Sequence, residues 1–423
     1  MSVVLDAIEV KKNGGQLDDD AIAAVVDGYT GGDVPDYQMS ALLMAIFLRG
    51  MTDGETLALT RAMADSGPRY SFPDCVDKHS TGGVGDKVTL VAMPIVAACG
   101  VPVAKLSGRG LGITGGTIDK LESIPGFDVA LSDDQFRRQV DEIGIALAEA
   151  GVLAPADKAI YALRDTTGTV DSMPLIGSSI VSKKAATGAG HLLYDVKAGS
   201  GAFMKSVEHA RELAELLVRL SEAMSIRSSA LITDMDTPLG SAVGNALEVR
   251  ESVALLRGEP TWDDLAEVAR DVAARLLELT GHADPRGAVE EALSSGAAYE
   301  KLGALVRAQG ADPDALEDLE LSSHLREVTA PRDGHVARLD ALGVGRASVA
   351  LGAGRQRKDD PIDFGAGVEL LVRVGDRVEA GQPVARLYGE KSVEHASELV
   401  AEALELAEAP VSRPPHVLDR VER

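Results

Sequence analysis

Two runs in the first third of the sequence combine glycines, hydroxyls and basic groups at spacings that suit an anion. The first is Lys78-His79-Ser80-Thr81-Gly82-Gly83-Val84-Gly85-Asp86. The second is Ser107-Gly108-Arg109-Gly110-Leu111-Gly112-Ile113-Thr114-Gly115-Gly116-Thr117. Residues 82–126 hold ten glycines, about twice the share that 44 glycines in 423 residues would give. Glycine lets the backbone turn its amides toward an anion, and a following helix adds free N–H groups and the positive end of its dipole. The Lys78 ammonium and the hydroxyls of Ser80, Thr89, Ser107 and Thr117 can complete a phosphate cradle. The plainer reading is two tight turns at sheet edges; two such runs with matching hydroxyls favour phosphate.

Other chemistries fit less well. The nucleotide P-loop pattern G-x-x-x-x-G-K-[ST] is absent. Gly110-Leu-Gly112-Ile-Thr-Gly115 matches G-x-G-x-x-G, but the acidic residue expected about twenty positions on is replaced by the turn-like Pro125-Gly126-Phe127-Asp128. No H-E-x-x-H, C-x-x-C or G-x-S-x-G motif occurs. Cys75 and Cys99 are too few for a disulfide framework or a four-cysteine zinc site.

Three kinds of segment must position these groups. Residues 1–70 read as helices: Met39, Leu42, Leu43, Ile46 and Phe47 recur at helical spacing, and Thr52-Asp53-Gly54-Glu55 is a capping box. A segment this short and apolar must pack on other helices or on a second copy of itself, which makes it a candidate dimer surface. From about Ser71 strand, glycine loop and helix alternate. Strands are expected at Val101–Leu106, Ile145–Ala148, His191–Val196 and Ala230–Thr233, with helices at Val88–Cys99, Thr117–Ile124 and near 206–224, 245–257 and 262–280. That pattern predicts an α/β domain with a mainly parallel sheet. Ala156–Arg164 and Ser178–Ala186 read as helices returning to the first domain. After about Val328, valines and leucines among Gly-Asp and Ala-Gly-Gln turns predict short antiparallel strands, closed by a helix from Val393 to about Glu408. The expected organisation is a helical domain (1–70 and 156–190), an α/β domain (71–155 and 191–327) and a small C-terminal α/β domain (328–423).

Composition narrows the partners. Sixty-six acidic against 42 basic residues give a net charge of −24, which disfavours nucleic acid and anionic membranes as partners. A hydrophobic content of 45% is enough for real cores, and no apolar run reaches the ~18 residues of a membrane span. The expectation is a cytoplasmic globular protein. Screening confines surface charge to about 8–10 Å, so the global sign says little about one phosphate ion in a cleft.

At the two glycine runs the sequence resembles the thymidine and pyrimidine-nucleoside phosphorylases. The likeness extends to Thr114–Gly126, to Tyr161-Ala-Leu-Arg-Asp165 and to Asp195-Val-Lys-Ala-Gly-Ser-Gly-Ala-Phe203. The resemblance implies phosphorolysis: pyrimidine nucleoside and inorganic phosphate give free base and pentose 1-phosphate, in a homodimer that requires no organic cofactor. It implies a phosphate site at Lys78, Ser80, Thr89, Ser107 and Thr117 and a pyrimidine site at Arg164, Ser179 and Lys183, with His79 beside both. Ser179 and Lys183 stand at i and i+4, on one helical face. Arg164, Ser179 and Lys183 would stabilise negative charge on the departing base, and His79, with an ordinary value of about 6.5, would act as the acid. Lys184, Lys87 and Arg109 read as local ion pairs or phosphate-loop supports rather than catalysts, Asp86 as a support for its loop, and Asp165 as a support for Arg164.

Three positions carry finer expectations. Ile113 stands where the family usually has histidine, and Ile113→His is expected to raise turnover. Lys105 resembles the broader pyrimidine-nucleoside enzymes and favours acceptance of both uridine and thymidine. The resemblance also implies a potassium ion at Gly85, Lys87, Leu239, Ala242 and Glu251, where Lys87 either crowds the site or leaves only its carbonyl to the ion. The last β units resemble biotinyl and lipoyl carrier domains in texture, but Lys358 lacks the flanks of an attachment lysine. A thymidine-restricted phosphorylase, a relative acting on nucleotides or phosphoribosyl pyrophosphate, and a non-catalytic phosphate or nucleoside binder are the competing readings.

Overall fold

The computed structural model describes residues 3–110, 112, 113, 115–149, 151–355, 357 and 360–422. Leu111 and Thr114 of the second glycine run, and Lys358, lie outside the described residues.

The chain opens with α1 (Val3–Lys12), α2 (Asp19–Thr30), α3 (Asp36–Arg49) and α4 (Asp53–Asp65). Asp18 caps α2, and the expected Thr52–Glu55 box caps α4 reciprocally. The chain then enters β1 (Phe72–Ser80), α5 (Val88–Ala98), β2 (Val103–Ser107), α6 (Thr117–Glu122), α7 (Asp133–Ile143) and β3 (Ile145–Glu149). Two helices, α8 (Pro155–Thr167) and α9 (Met173–Thr187), return to the first four: Ala156, Ile160 and Leu175 share a core with Val25, Met39, Leu42 and Ile46.

The second half of the α/β unit runs β4 (Ala189–Ala198), α10 (Val207–Ala223), β5 (Arg227–Asp234), β6 (Ala242–Val243), α11 (Asn245–Leu256), α12 (Asp263–Thr280), α13 (Pro285–Ser294) and α14 (Ala297–Ala308). The C-terminal part adds β7 (Leu325–Thr329), β8 (Gly334–Leu339), α15 (Ala341–Leu351), β9 (Gly367–Leu370), β10 (Arg377–Val378), β11 (Pro383–Tyr388), α16 (Val393–Ala403), β12 (Leu404–Ala407) and β13 (Val417–Val421).

The main sheet has the order β13-β5-β4-β1-β2-β3, parallel throughout except for β13. Chain order moves outward from β1 to β2 and β3 on one side, then to β4 and β5 on the other. The topology therefore switches between β1 and β4, and in open α/β sheets the ligand crevice lies outside the carboxyl ends of strands at such a point. Lys78, His79 and Ser80 end β1 there, opposite Leu193, Tyr194 and Asp195 of β4.

Two features differ from the sequence-based expectation. The final helix stops at Ala403 and continues as β12, which pairs antiparallel with β8. Leu404 and Leu406 side with that sheet because alternate residues of a strand share one face. β13 leaves the C-terminal part altogether and pairs with β5. The short antiparallel strands expected in this part form two sheets, β10-β8-β12 and β6-β9-β11-β7, so β6 of the α/β unit is a strand of the C-terminal sheet. One apolar cluster runs from Val84, Val91 and Leu193 through to Val344, Leu370 and Ala396. The C-terminal part is thereby packed against the elements that carry the first glycine run.

Candidate active site

The first glycine run begins where β1 ends. Gly82 and Gly85 adopt φ of +89° and +73°, a backbone region that penalises other residues. A Cβ on Gly85 would also lie 2.7 Å from the Leu239 carbonyl oxygen. Ser80 Oγ donates to the Asp86 carboxylate and accepts from the Gly82 amide at 3.1 Å. Asp86 thus ties the run together, as expected, and Thr89 follows in the first turn of α5.

Beneath this turn lies a buried charge quartet. Lys78 Nζ sits 2.9 Å from Asp195 Oδ2 and 3.7 Å from Asp86 Oδ1; Lys197 Nζ sits 2.9 Å and 3.9 Å from the same two atoms. Lys78, Lys197 and Asp195 are fully buried. Burial by itself would discharge Lys78, but Asp195 and Asp86 overcome it and raise its pKa. Burial likewise works against the Asp86 carboxylate, and Lys197, Lys78 and the Ser80 hydrogen bond outweigh it and hold it far below the usual range. Neither Lys78 Nζ nor Lys197 Nζ makes an aligned hydrogen bond within the protein. Two buried ammonium groups with unspent donors at a sheet switch point are a reason to place an anion there.

The second run folds back over α6. The Gly110 amide donates to Asp119 Oδ2 at 2.6 Å, the Gly112 amide donates to the Arg355 carbonyl at 3.0 Å, and Arg355 pairs with Asp119 Oδ1 at 2.7 Å. A Cβ on Gly116 would lie 2.1 Å from the Gly110 nitrogen, so this closure requires glycine. Ser107 ends β2 and Thr117 opens α6. The pairing Val76↔Val103, carried four residues on, brings Ser80 and Ser107 to the same edge of the sheet. Arg109 is engaged with Glu122, as expected for a local ion pair. Ile113 packs against the apolar cluster and faces α15, where a Cβ on Gly345 would lie 3.2 Å from its own.

The helical side brings Arg164, Ser179 and Lys183 together. Lys183 Nζ donates to Ser179 Oγ at 3.0 Å and to Asp157 Oδ2 at 2.5 Å, confirming the shared face of α9. Lys183 and Arg164 both stand over the Tyr161 ring, at 5.9 and 5.8 Å. Arg164 is held by carbonyls rather than by Asp165: it donates to Thr169 O at 3.2 Å, Leu175 O at 3.0 Å and Val170 O at 2.7 Å, while Asp165 is exposed. Asp165 points outward because only one side of α8 faces the core, and Arg164 occupies that side. Three of the five guanidinium N–H groups are used, leaving two for a ligand.

His79 lies between the two groups, edge-on to Tyr194 at 6.2 Å. Burial, then the charges of Lys184, Lys105, Lys183 and Lys78, push its pKa well below the ordinary histidine value. The acid role expected from an ordinary histidine is thus changed: four lysines disfavour a fifth positive charge, and the ring stays neutral with a single N–H to donate. Asp77 anchors this cluster, 2.7 Å from Lys184 Nζ and 3.5 Å from Lys105 Nζ. Lys184 is therefore held in an ion pair, but with a partner 107 positions away that joins α9 to β1. Lys105 also donates to the Lys78 carbonyl at 2.6 Å, and burial with neighbouring Lys184 lowers its pKa to about 7.

The positions implied for a potassium ion also converge, on an ammonium. Lys87 Nζ donates to Leu239 O at 2.7 Å, Ala242 O at 2.8 Å and Glu251 Oε2 at 2.5 Å. Sequence reasoning missed Asp77, Asp195 and Lys197. The signal was there: Asp195 and Lys197 alternate on one face of an otherwise apolar strand, where unpaired charge is prohibitive.

Fold and site together fit a glycosyl-transferring enzyme: glycine-rich loops stand at strand ends of a parallel sheet, and Arg164, Ser179 and Lys183 stand together on two helices. Three family models match the chain: "Glycosyl transferase family, helical bundle domain" over residues 5–67, "Glycosyl transferase family, a/b domain" over 72–299, and "Pyrimidine nucleoside phosphorylase C-terminal domain" over 335–407. The pyrimidine-nucleoside phosphorylase of Geobacillus stearothermophilus is 43% identical, covering 99% of both chains. The thymidine phosphorylase of Mycobacterium tuberculosis is 51% identical over 90% of this chain and 89% of its own. The pyrimidine-nucleoside phosphorylase of Bacillus subtilis is 46% identical over 94% of each. Anthranilate phosphoribosyltransferase from Thermus thermophilus shares the fold, with a TM-score of 0.58 at 22% identity over 73% of this chain and 99% of its own. The chain belongs to the pyrimidine-nucleoside and thymidine phosphorylase family of glycosyl transferases.

Proposed function

We propose that this protein catalyses phosphorolysis of pyrimidine nucleosides, uridine and deoxyuridine as well as thymidine, in nucleoside salvage. The observation that carries the reading is the pair of buried ammonium groups, Lys78 and Lys197, with unspent donors at the ends of β1 and β4. Phosphate bound there by Lys78, Ser80, Thr89, Ser107 and Thr117 presents an oxygen to the anomeric carbon. As that C–O bond forms, the C–N bond breaks and its electron pair leaves with the base. Arg164, Ser179 and Lys183 donate hydrogen bonds to the ring atoms on which this charge develops. Neutral His79 donates its N–H to the 2-oxo group, and the departing base takes its proton from water. No side chain serves as nucleophile, because phosphate is both the nucleophile and the counter-charge to the sugar.

Lys105 supports the broad substrate range: an ammonium donor, rather than an apolar side chain, stands behind the Lys78 backbone. Leu5, Tyr37, Leu48, Met44 and Phe47 leave apolar surface exposed on α1 and α3, which supports a homodimer joined through the helical part. No helix among the described residues is long and apolar enough to cross a membrane. We place the enzyme in the cytoplasm, with its substrates.

The test is incubation with thymidine, uridine and nucleoside monophosphates, with and without phosphate, following free base. Phosphate-dependent release from both nucleosides and none from the monophosphates is expected. Release without phosphate identifies a hydrolase, and no release identifies a binder.

A further inference from the structure

Behind the phosphate loop, away from the quartet, lies a second buried cage built around one atom. Lys87 is fully buried, and its Nζ is held by two main-chain carbonyls, Leu239 O and Ala242 O, and by Glu251 Oε2. The cage does not depend on the lysine for its shape. Glu251 Oε1 accepts from the Ser241 amide at 2.7 Å and its hydroxyl at 2.9 Å, and Oε2 accepts from the Ala242 amide at 3.0 Å. The Leu239 amide is itself bonded to Val84 O at 3.1 Å. Two glycines close the walls. Gly240, at φ +74°, would place a Cβ 2.6 Å from Glu251 Oε2 and 2.8 Å from Lys87 Nζ; Gly85 faces the same carbonyls, Leu239 O at 2.7 Å and Ala242 O at 3.2 Å.

Carbonyl oxygens and one carboxylate, fixed by backbone hydrogen bonds, are the donor set of a hard monovalent cation. While Lys87 is present a metal ion does not fit: its place is filled by a like charge, and Glu251 is already neutralised. We propose that the Lys87 ammonium is a tethered replacement for a monovalent cation, locking the Gly85-Asp86-Lys87 turn onto the 239–242 segment so that this enzyme needs no potassium. The lock acts on phosphate binding through position. It fixes the end of the loop whose Asp86 organises Ser80 and Lys78, and it ties that loop to β6 and hence to the C-terminal sheet. Removing the side chain leaves a preformed, anionic cavity that recruits a free cation, because a buried lone carboxylate is costly.

The experiment compares wild type and Lys87→Ala in choline chloride and in potassium chloride, reading phosphorolysis and thermal melting. Wild type is expected to be indifferent to the exchange, within about twofold in kcat/KM for phosphate. Lys87→Ala is expected to lose about tenfold or more in choline, chiefly through the KM for phosphate, and to regain most of it in potassium. Its Tm should rise with the logarithm of potassium concentration, as for any ligand that binds only the folded state, while that of wild type stays fixed. A wild type that requires potassium overturns the proposal. So does a folded Lys87→Ala protein indifferent to potassium, or one recovered only unfolded in both salts. The activity arm rests on the phosphorylase reading, but the melting arm does not; a wild type that releases no base counts against that reading alone.

Discussion

On the proposed phosphate side the charged groups sit at strand ends and a glycine turn and are sealed: Lys78, Lys197 and Asp195 are fully buried and Asp86 is nearly so, while Ser80, Ser107 and Thr117 are half-buried at the rim. On the proposed pyrimidine side they project from two helices: Arg164 and Ser179 are buried, but the Lys183 side chain remains 37% exposed although its partner Asp157 is buried. One wall is fixed before any ligand arrives, by backbone geometry and charge pairs drawn from different strands. The other keeps a water-accessible edge through which a nucleoside can enter. A preorganised anion site beside an adaptable ring site is a sensible division, because the developing charge must be met by dipoles that need no rearrangement.

The largest effect should come from breaking the sealed side. Lys78→Ala is expected to lower kcat/KM for phosphate by about 10³-fold. It should also cost about 3 kcal/mol in urea unfolding, since Asp195 and Asp86 are left with one buried partner instead of two. A loss confined to the nucleoside KM would contradict the contrast between the walls.

Within the open side, two basic residues should separate stability from activity. Arg164→Ala removes the donor to three carbonyls and should cost about 2–3 kcal/mol as well as activity. Lys183→Ala combined with Asp157→Asn, which leaves no lone buried carboxylate, should cost about 1 kcal/mol or less, yet reduce kcat/KM for nucleoside about 10²-fold. Parallel losses in both variants would erase the distinction.

The smallest effect concerns pH. His79 has its pKa pushed down, so it is already neutral at pH 7 and loses no proton as pH rises through the ordinary histidine value. Lys105, lowered to about 7, does lose one there. The ratio of wild-type to Lys105→Met kcat/KM cancels the ionisation of phosphate itself. It should fall by less than about tenfold as pH rises through 7, as a charged ammonium becomes neutral. A flat ratio, with the pH dependence instead lost in His79→Asn, would reverse the assignment.

What could be read from sequence follows the range of the interactions. The Thr52–Glu55 box and the Ser179–Lys183 pair are local patterns, and both stand in the structure as read. Partnerships across strands were hidden. Asp77 meets Lys184, 107 positions away, and Lys78 meets Asp195 only because β1 and β4 are neighbours. Adjacency in sequence suggests Asp165 as the support of Arg164, but neighbours in a helix point in different directions. The helix expected to run to Glu408 failed at Leu404, where a short apolar stretch suits either period and only the open edge of β8 decides.

β13 has a consequence for how the molecule is made. Residues 417–421 complete the sheet by pairing with β5, nearly two hundred positions earlier. During synthesis β5 emerges long before its partner, so the nascent sheet carries an open, apolar border while the whole C-terminal part is still being translated. Such a border invites pairing with another chain. Loss of a handful of residues from this strand would then be felt first as poor yield and aggregation.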